Sequence, residues 1–201
     1  MTHRLAVLIS GSGTNLQAIM AAIDSGRLNA EIAVVLSNRA DAGGLSRARH
    51  AGIATEVLDH PQYDSREAFD QAMITALDHY QPGTVVLAGF MRILSPLFVR
   101  HYAGQLINIH PSLLPKYRGL HTHARALEAG DQQHGCSIHF VTEELDGGPV
   151  IAQAEVSISP DDTPESLAEK VQEKEHVLYP IVVRWFCEGR IQLGTDYVVF
   201  D

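Results

Sequence analysis

The chain is 201 residues long, with 45% hydrophobic and 19% charged residues and a formal net charge of −9. That balance is ordinary for a globular protein and excludes disorder along the whole chain, and no apolar run approaches the roughly 20 residues of a membrane-spanning helix. An acidic chain lacks the clustered basic surface of a nucleic-acid binder, so neither a nucleic-acid nor a membrane partner is expected. The two cysteines, Cys136 and Cys187, form no disulfide framework. The first apolar run has strand length with no cleavage site behind it, so no signal peptide is expected. These features predict a cytoplasmic protein folding as one domain over 1–201.

The first half alternates short apolar runs with amphipathic stretches. Leu5 to Ile9 reads as a strand buried on both faces. A glycine loop follows, and then Leu16, Ile19, Met20 and Ile23 recur at helical spacing, with Gly26 as the stop. Ile32 to Leu36 is a second strand, Leu45 to His50 a short helix, and Thr55 to Leu58 a third strand. Ser65 caps a helix running to about Tyr80, which Pro82 and Gly83 break. Thr84 to Ala88 and Leu106 to Ile109 are further strands, with a short helix from Leu97 to Tyr102 between them. The rhythm predicts an α/β fold: a mostly parallel, Rossmann-like sheet with helices on both faces and ligand sites at the carboxyl ends of its strands.

The second half reads differently. Cys136 to Val141 and Val150 to Ser157 alternate as a hairpin-like, antiparallel pair. Thr163, Pro164 and Glu165 are a strong helix start, and Leu167, Val171, Val177, Leu178 and Ile181 give the helix an apolar face to about Glu188. Tyr197 to Phe200 closes the chain as a short strand.

Three clusters carry chemistry. In the loop Ser10, Gly11, Ser12, Gly13, Thr14 and Asn15, glycines let the backbone approach a ligand, and the helix start behind it favours an anion. A tight turn without a ligand is the plain alternative. A dinucleotide fingerprint fits poorly, because Leu16 holds the third glycine position and no acid follows the second strand. Arg39 at that place keeps an NADP enzyme open, while a Walker lysine and a nucleophile elbow are both missing from the sequence. The loop suits one terminal phosphate better than a pyrophosphate.

In the strand Leu106 to Ile109 and its continuation, Asn108 and His110 point to one face. An amide beside an imidazole makes a donor pair suited to a carbonyl oxygen becoming an oxyanion, or else a buried pair satisfied by backbone groups. The segment after them, Pro111 to Gly119, is shaped by its prolines. His121 and His123 invite a metal, yet they begin a helical pattern without a zincin partner, so solvated or capping histidines and no metal are expected. Thr142 to Pro149 is acidic and glycine-bearing: either a solvated turn, or a tight backbone that aims Asp146 inward to orient an imidazole or accept a proton.

Together, the loop, the run Asn108 to Pro115 and the run Leu145 to Pro149 closely resemble the folate-dependent formyltransferase family, and the likeness extends through Val171 to Pro180 and to Trp185 and Phe186. The resemblance implies transfer of the formyl group of 10-formyltetrahydrofolate to the amine of glycinamide ribonucleotide, in purine synthesis, without a metal. It implies that Asn108, His110 and Asp146 are catalytic. It assigns Gly11, Ser12, Gly13, Thr14 and Asn15, with Gln172 and Glu175, to the ribonucleotide. It assigns Arg66, the segment Met91, Arg92, Ile93 and Leu94, Asn108, and the loop Thr142, Glu143, Glu144, Leu145 and Asp146 to the folate. The N-terminal half is expected to hold the phosphate and the C-terminal half the catalytic and folate groups. Arg118, in a variable stretch, receives no role.

Relatives that formylate methionyl-tRNA carry an added C-terminal domain, and formyltetrahydrofolate deformylases an added N-terminal one, so length favours the ribonucleotide reading. A nicotinamide oxidoreductase and a non-catalytic binding module are the rivals from other classes. A monomer or homodimer is expected.

Overall fold

The computed structural model describes residues 2–201. Seven strands form one sheet in the order β3-β2-β1-β4-β5-β6-β7. β1 (His3–Ile9), β2 (Ala30–Ser37), β3 (Thr55–Val57), β4 (Thr84–Leu87) and β5 (Leu106–His110) run parallel. β6 (Gln133–Phe140) and β7 (Val150–Ser157) extend the sheet antiparallel, and β8 (Ile191–Leu193) and β9 (Val198–Phe200) form a separate ribbon. The predicted α/β class, with its parallel part and antiparallel addition, is what the molecule adopts. β8 lies outside the predicted strands.

Alternation along the central strands feeds two cores. Leu5, Val7 and Ile9 face α1 (Thr14–Asp24), α2 (Gly43–His50) and α6 (Pro164–Cys187), whereas Ala6 and Leu8 face α3 (Arg66–His79) and α4 (Pro96–His101). On β5, Ile107 and Ile109 join the first core, and Leu106 the second. Asn108 and His110 share the face of Leu106, Asn108 half-buried and His110 buried.

Helix ends follow the sequence closely. The Ser65 hydroxyl accepts from the Ala68 amide at 3.0 Å to start α3, and Thr163 and Ser166 form a reciprocal capping box on α6. The inward face of α6 differs from expectation. Leu167, Val171, Glu175, Tyr179, Val182 and Val183 are buried, while Val177 is 64% exposed. The i, i+4 series from Leu167 defines the stripe, and Val177 falls on the opposite side. Tyr179 is wholly buried, and its hydroxyl donates to the Leu87 carbonyl at 2.7 Å, tying α6 to the carboxyl end of β4. No helix of the described residues is long and apolar enough to cross a membrane.

Candidate functional site

The site occupies the carboxyl ends of β1, β4 and β5, and each of its walls is held by named contacts. In the loop after β1, the Ser10 hydroxyl donates to Asn38 Oδ1 at 2.6 Å and accepts the Met91 amide at 2.8 Å. One buried side chain thus fixes the loop to the segment after β4. At the far end of that segment, buried Asp70 on α3 accepts the Ser95 amide at 2.6 Å. Met91, Arg92, Ile93 and Leu94 are therefore strung between two buried anchors, leaving Met91 66% and Ile93 51% exposed along the cleft. Desolvation holds the Asp70 carboxyl above its ordinary range. Arg66 stands exposed at the start of α3, one turn before Asp70.

The glycine loop meets α6 through two side-chain pairs. Gln172 Nε2 donates to Thr14 Oγ1 at 3.0 Å, and Asn15 Nδ2 donates to Glu175 Oε2 at 3.0 Å. Gly11 and Ser12 are exposed, Gly13 and Asn15 buried. The amides of Gly11, Ser12, Gly13, Thr14 and Asn15 meet no acceptor among the described residues, and Asn15 Oδ1 is buried without a partner. Burial also pushes the Glu175 carboxyl up, with the Asn15 bond opposing it. Residues from the two ends of the sequence thus share one wall.

Asn108, His110 and Asp146 converge at the end of β5. Asp146 Oδ2 lies 3.5 Å from His110 Nδ1 and accepts the Gly119 amide at 2.9 Å. Asp146 Oδ1 lies 3.8 Å from Nε2 of His139, and the Asp146 carboxylate is 8% exposed. The turn that delivers it needs glycine at 148, where a Cβ would lie 1.8 Å from the Phe140 carbonyl oxygen.

Hydrogen-bond roles fix the protons. His139 Nδ1 donates to the Phe140 carbonyl at 2.8 Å, and burial lowers the pKa of the ring. Its Nε2 is then an acceptor and takes a hydrogen from Asn108 Nδ2 at 3.3 Å. The Asn108 amide nitrogen thus keeps one hydrogen free. His110 Nε2 donates to the Tyr117 carbonyl at 2.8 Å. Attraction between His110 Nδ1 and Asp146 therefore needs a second proton on the ring.

Sequence reasoning missed His139. The β5–β6 register pairs it with Asn108, and that register is not readable from either strand alone. Asp70, Tyr179 and the Ser10–Asn38 bond were missed for the same reason: each partner lies on a distant element.

Other predicted positions have mixed outcomes. His121 is exposed at the start of α5 (Thr122–Glu128), the solvated alternative, and does not cap the helix through its side chain. His123 is not a solvated histidine; its Nδ1 lies 3.0 Å from Nε2 of buried His134. Arg39, the mark of a 2′-phosphate site, spends its guanidinium on Asp41 at 2.9 and 3.0 Å. Glu143 and Glu144 pair their carboxylates with Arg100, at 2.6 Å, and with Arg118. Thr142 is half-buried and Leu145 50% exposed on that loop. Arg118, given no role, thus braces the carboxylate loop.

Comparison with known proteins gives a consistent picture. The formyl transferase family model matches residues 3–183. The chain is 57% identical to the phosphoribosylglycinamide formyltransferase of Escherichia coli K12 over 98% of its own length and 93% of that relative's. The solved phosphoribosylglycinamide formyltransferase of Coxiella burnetii superposes with a TM-score of 0.96 at 53% identity, covering 100% of this chain and 94% of that one. A formyltetrahydrofolate deformylase from Pseudomonas syringae is similar at lower identity, 29%, with a TM-score of 0.92, and this chain covers 66% of it. The chain belongs to the formyl transferase family.

Proposed function

We propose that the protein transfers the formyl group of 10-formyltetrahydrofolate to the amine of glycinamide ribonucleotide, acting in the cytoplasm as a one-domain monomer or homodimer. The observation that carries this reading is the convergence of Asn108, His110 and Asp146 at one strand end, beside the loop of Gly11 to Asn15. The ribonucleotide phosphate lies on the free amides of that loop, and Gln172 and Glu175 meet its sugar. The folate ring lies between Met91 to Leu94 and Thr142 to Asp146, with its tail toward Arg66.

The neutral amine attacks the formyl carbon, forming a carbon–nitrogen bond and an oxyanion. The remaining Asn108 hydrogen and His110 stabilise that oxygen. His110 Nε2 reaches it by exchanging the Tyr117 carbonyl for the oxyanion, a swap of acceptors that leaves no donor unpaired. The bond from carbon to the folate nitrogen then breaks. The attacking nitrogen loses a proton and the leaving nitrogen gains one, with Asp146 carrying it through His110 or water.

The test is loss of the folate formyl group with and without glycinamide ribonucleotide. Loss that requires the ribonucleotide supports amine transfer. Equal loss in both would make water the acceptor, as in the deformylase. No loss in either would overturn the reading.

Glu175→Gln separates stability from function. A carboxyl held above its ordinary range stabilises the fold when protonated, and that contribution is lost as pH rises through its folded value. The Gln variant, which keeps an acceptor for Asn15, is expected to melt higher than wild type at pH 8 and to converge with it near pH 4.5. Its KM for the ribonucleotide is expected to rise about tenfold, from loss of a charge-assisted hydrogen bond. Melting curves at the two pH values and a ribonucleotide titration check both halves.

A further inference from the structure

The phosphate loop has a back as well as a front, and the back is built by α2. The carbonyl of Gly11 accepts the Gly44 amide at 3.0 Å, and the carbonyl of Ser12 accepts Arg47 Nε at 2.8 Å. The Gly13 carbonyl accepts the Gln17 amide at 2.9 Å, within the first turn of α1. All three carbonyls are therefore turned away from the cleft, which leaves the intervening amides to face it. Two glycines allow the approach. Gly13 has φ +74°, and a Cβ there would lie 2.6 Å from Gly44 Cα. A Cβ on Gly44 would lie 2.4 Å from Ile9 Cδ1. Arg47 also reaches Gln17 Oε1 through Nη1 at 3.4 Å, so one guanidinium spans the loop and the helix behind it. The loop, Ser10 to Asn15, holds no cationic side chain of its own, and the protein carries a net charge of −9. A phosphate dianion bound there needs positive charge from elsewhere. The buried, unpartnered Asn15 Oδ1 independently marks this wall as ligand-facing.

We infer that Arg47 is a positioning residue for the ribonucleotide phosphate: it holds the Ser12 peptide with its carbonyl outward, so that the following amides face the anion, and brings a cation to the back of the loop. This rests on the reading of the loop as the ribonucleotide site. Lysine preserves the charge but not the planar, two-point fork.

The experiment is steady-state kinetics of Arg47→Met and Arg47→Lys with both substrates varied, alongside inhibition by inorganic phosphate. Expected for the Met variant is a rise in ribonucleotide KM of about ten- to a hundredfold, with the folate KM and kcat within about threefold, since the lost contact is a charge-assisted hydrogen bond. Competitive inhibition by phosphate weakens in parallel, and the Lys variant falls between Met and wild type. A ribonucleotide KM within twofold of wild type overturns the inference. So does a common rise in both KM values with a lowered melting temperature, which a merely structural role would give. If the Met variant does not fold, the Lys variant carries the same comparison. If wild-type protein transfers nothing to the ribonucleotide, the reading of the reaction has failed instead. Protection from heat by inorganic phosphate, present in wild type and lost in the variants, then still decides the role of Arg47.

Discussion

Asp146→Asn is expected to lower kcat by about 10²–10⁴ while leaving both KM values within a few-fold and the melting temperature within a few degrees. The fold should survive because the new side chain is isosteric. Asn tolerates the left-handed backbone at this position, φ +49°, and its Oδ1 can still accept the Gly119 amide now bound by Asp146 at 2.9 Å. What disappears is the negative charge. The Asp146 carboxylate lies 3.5 Å from His110 Nδ1. That charge faces Nδ1 of His110 while Nε2 serves an acceptor oxygen. Without it, His110 is a weaker donor to the oxyanion, and the proton leaving the amine loses its acceptor. Steady-state rates with both substrates saturating, read beside a melting curve, check the split. Unaltered turnover in a folded variant would remove Asp146 from the reaction.

The second large effect is on stability. His134 is the second residue of β6, is 1% exposed, and shares a hydrogen between its Nε2 and His123 Nδ1. Burial, then the neighbouring His123 charge, push its pKa down to about 4, with Asp131 pulling upward and His110 adding to the fall. The unfolded chain takes a proton near pH 6.5, whereas the folded chain does not until about pH 4. Stability is therefore complete above pH 6.5 and declines as pH falls. The loss from this one ring is about 2 kcal/mol at pH 5 and about 3 kcal/mol below pH 4. Burial moves His123 and His139 in the same direction. Urea unfolding at pH 7.5 and 5.0 is expected to show a marked loss for wild type, and for His134→Gln a difference smaller by about 2 kcal/mol. The same difference in both proteins would show that His134 does not bear the acid sensitivity.

Much of this molecule is legible locally. Period-two alternation places Asn108 and His110 on one face, and the glycines of the loop from Ser10 to Asn15, after a strand, predict a backbone whose amides stay free, as the backbone hydrogen bonds bear out for that loop. The starts of α3 and α6 were written in Ser65 and Thr163, because a cap is a contact across three residues. Each of these is a short-range preference, fixed by chain geometry whatever lies beyond it.

The contacts that make a site of these parts are of another kind. Asp146 reaches His110 only because β6 pairs with β5 in one register and the glycine turn returns it to the strand end. His139 joins Asn108 by the same register. Glu175 reads as one polar residue in an amphipathic helix until α6 packs on α1 and Asn15 meets it. Arg47 gains meaning only when Gly13 and Gly44 bring α2 against the loop. The sequence by itself determined most of the elements, their order and the chemical groups at the strand ends. The tertiary structure decided which groups share a proton, a charge or a carbonyl, because register and helix docking are set by apolar burial summed over the whole sheet, and no local window contains that sum.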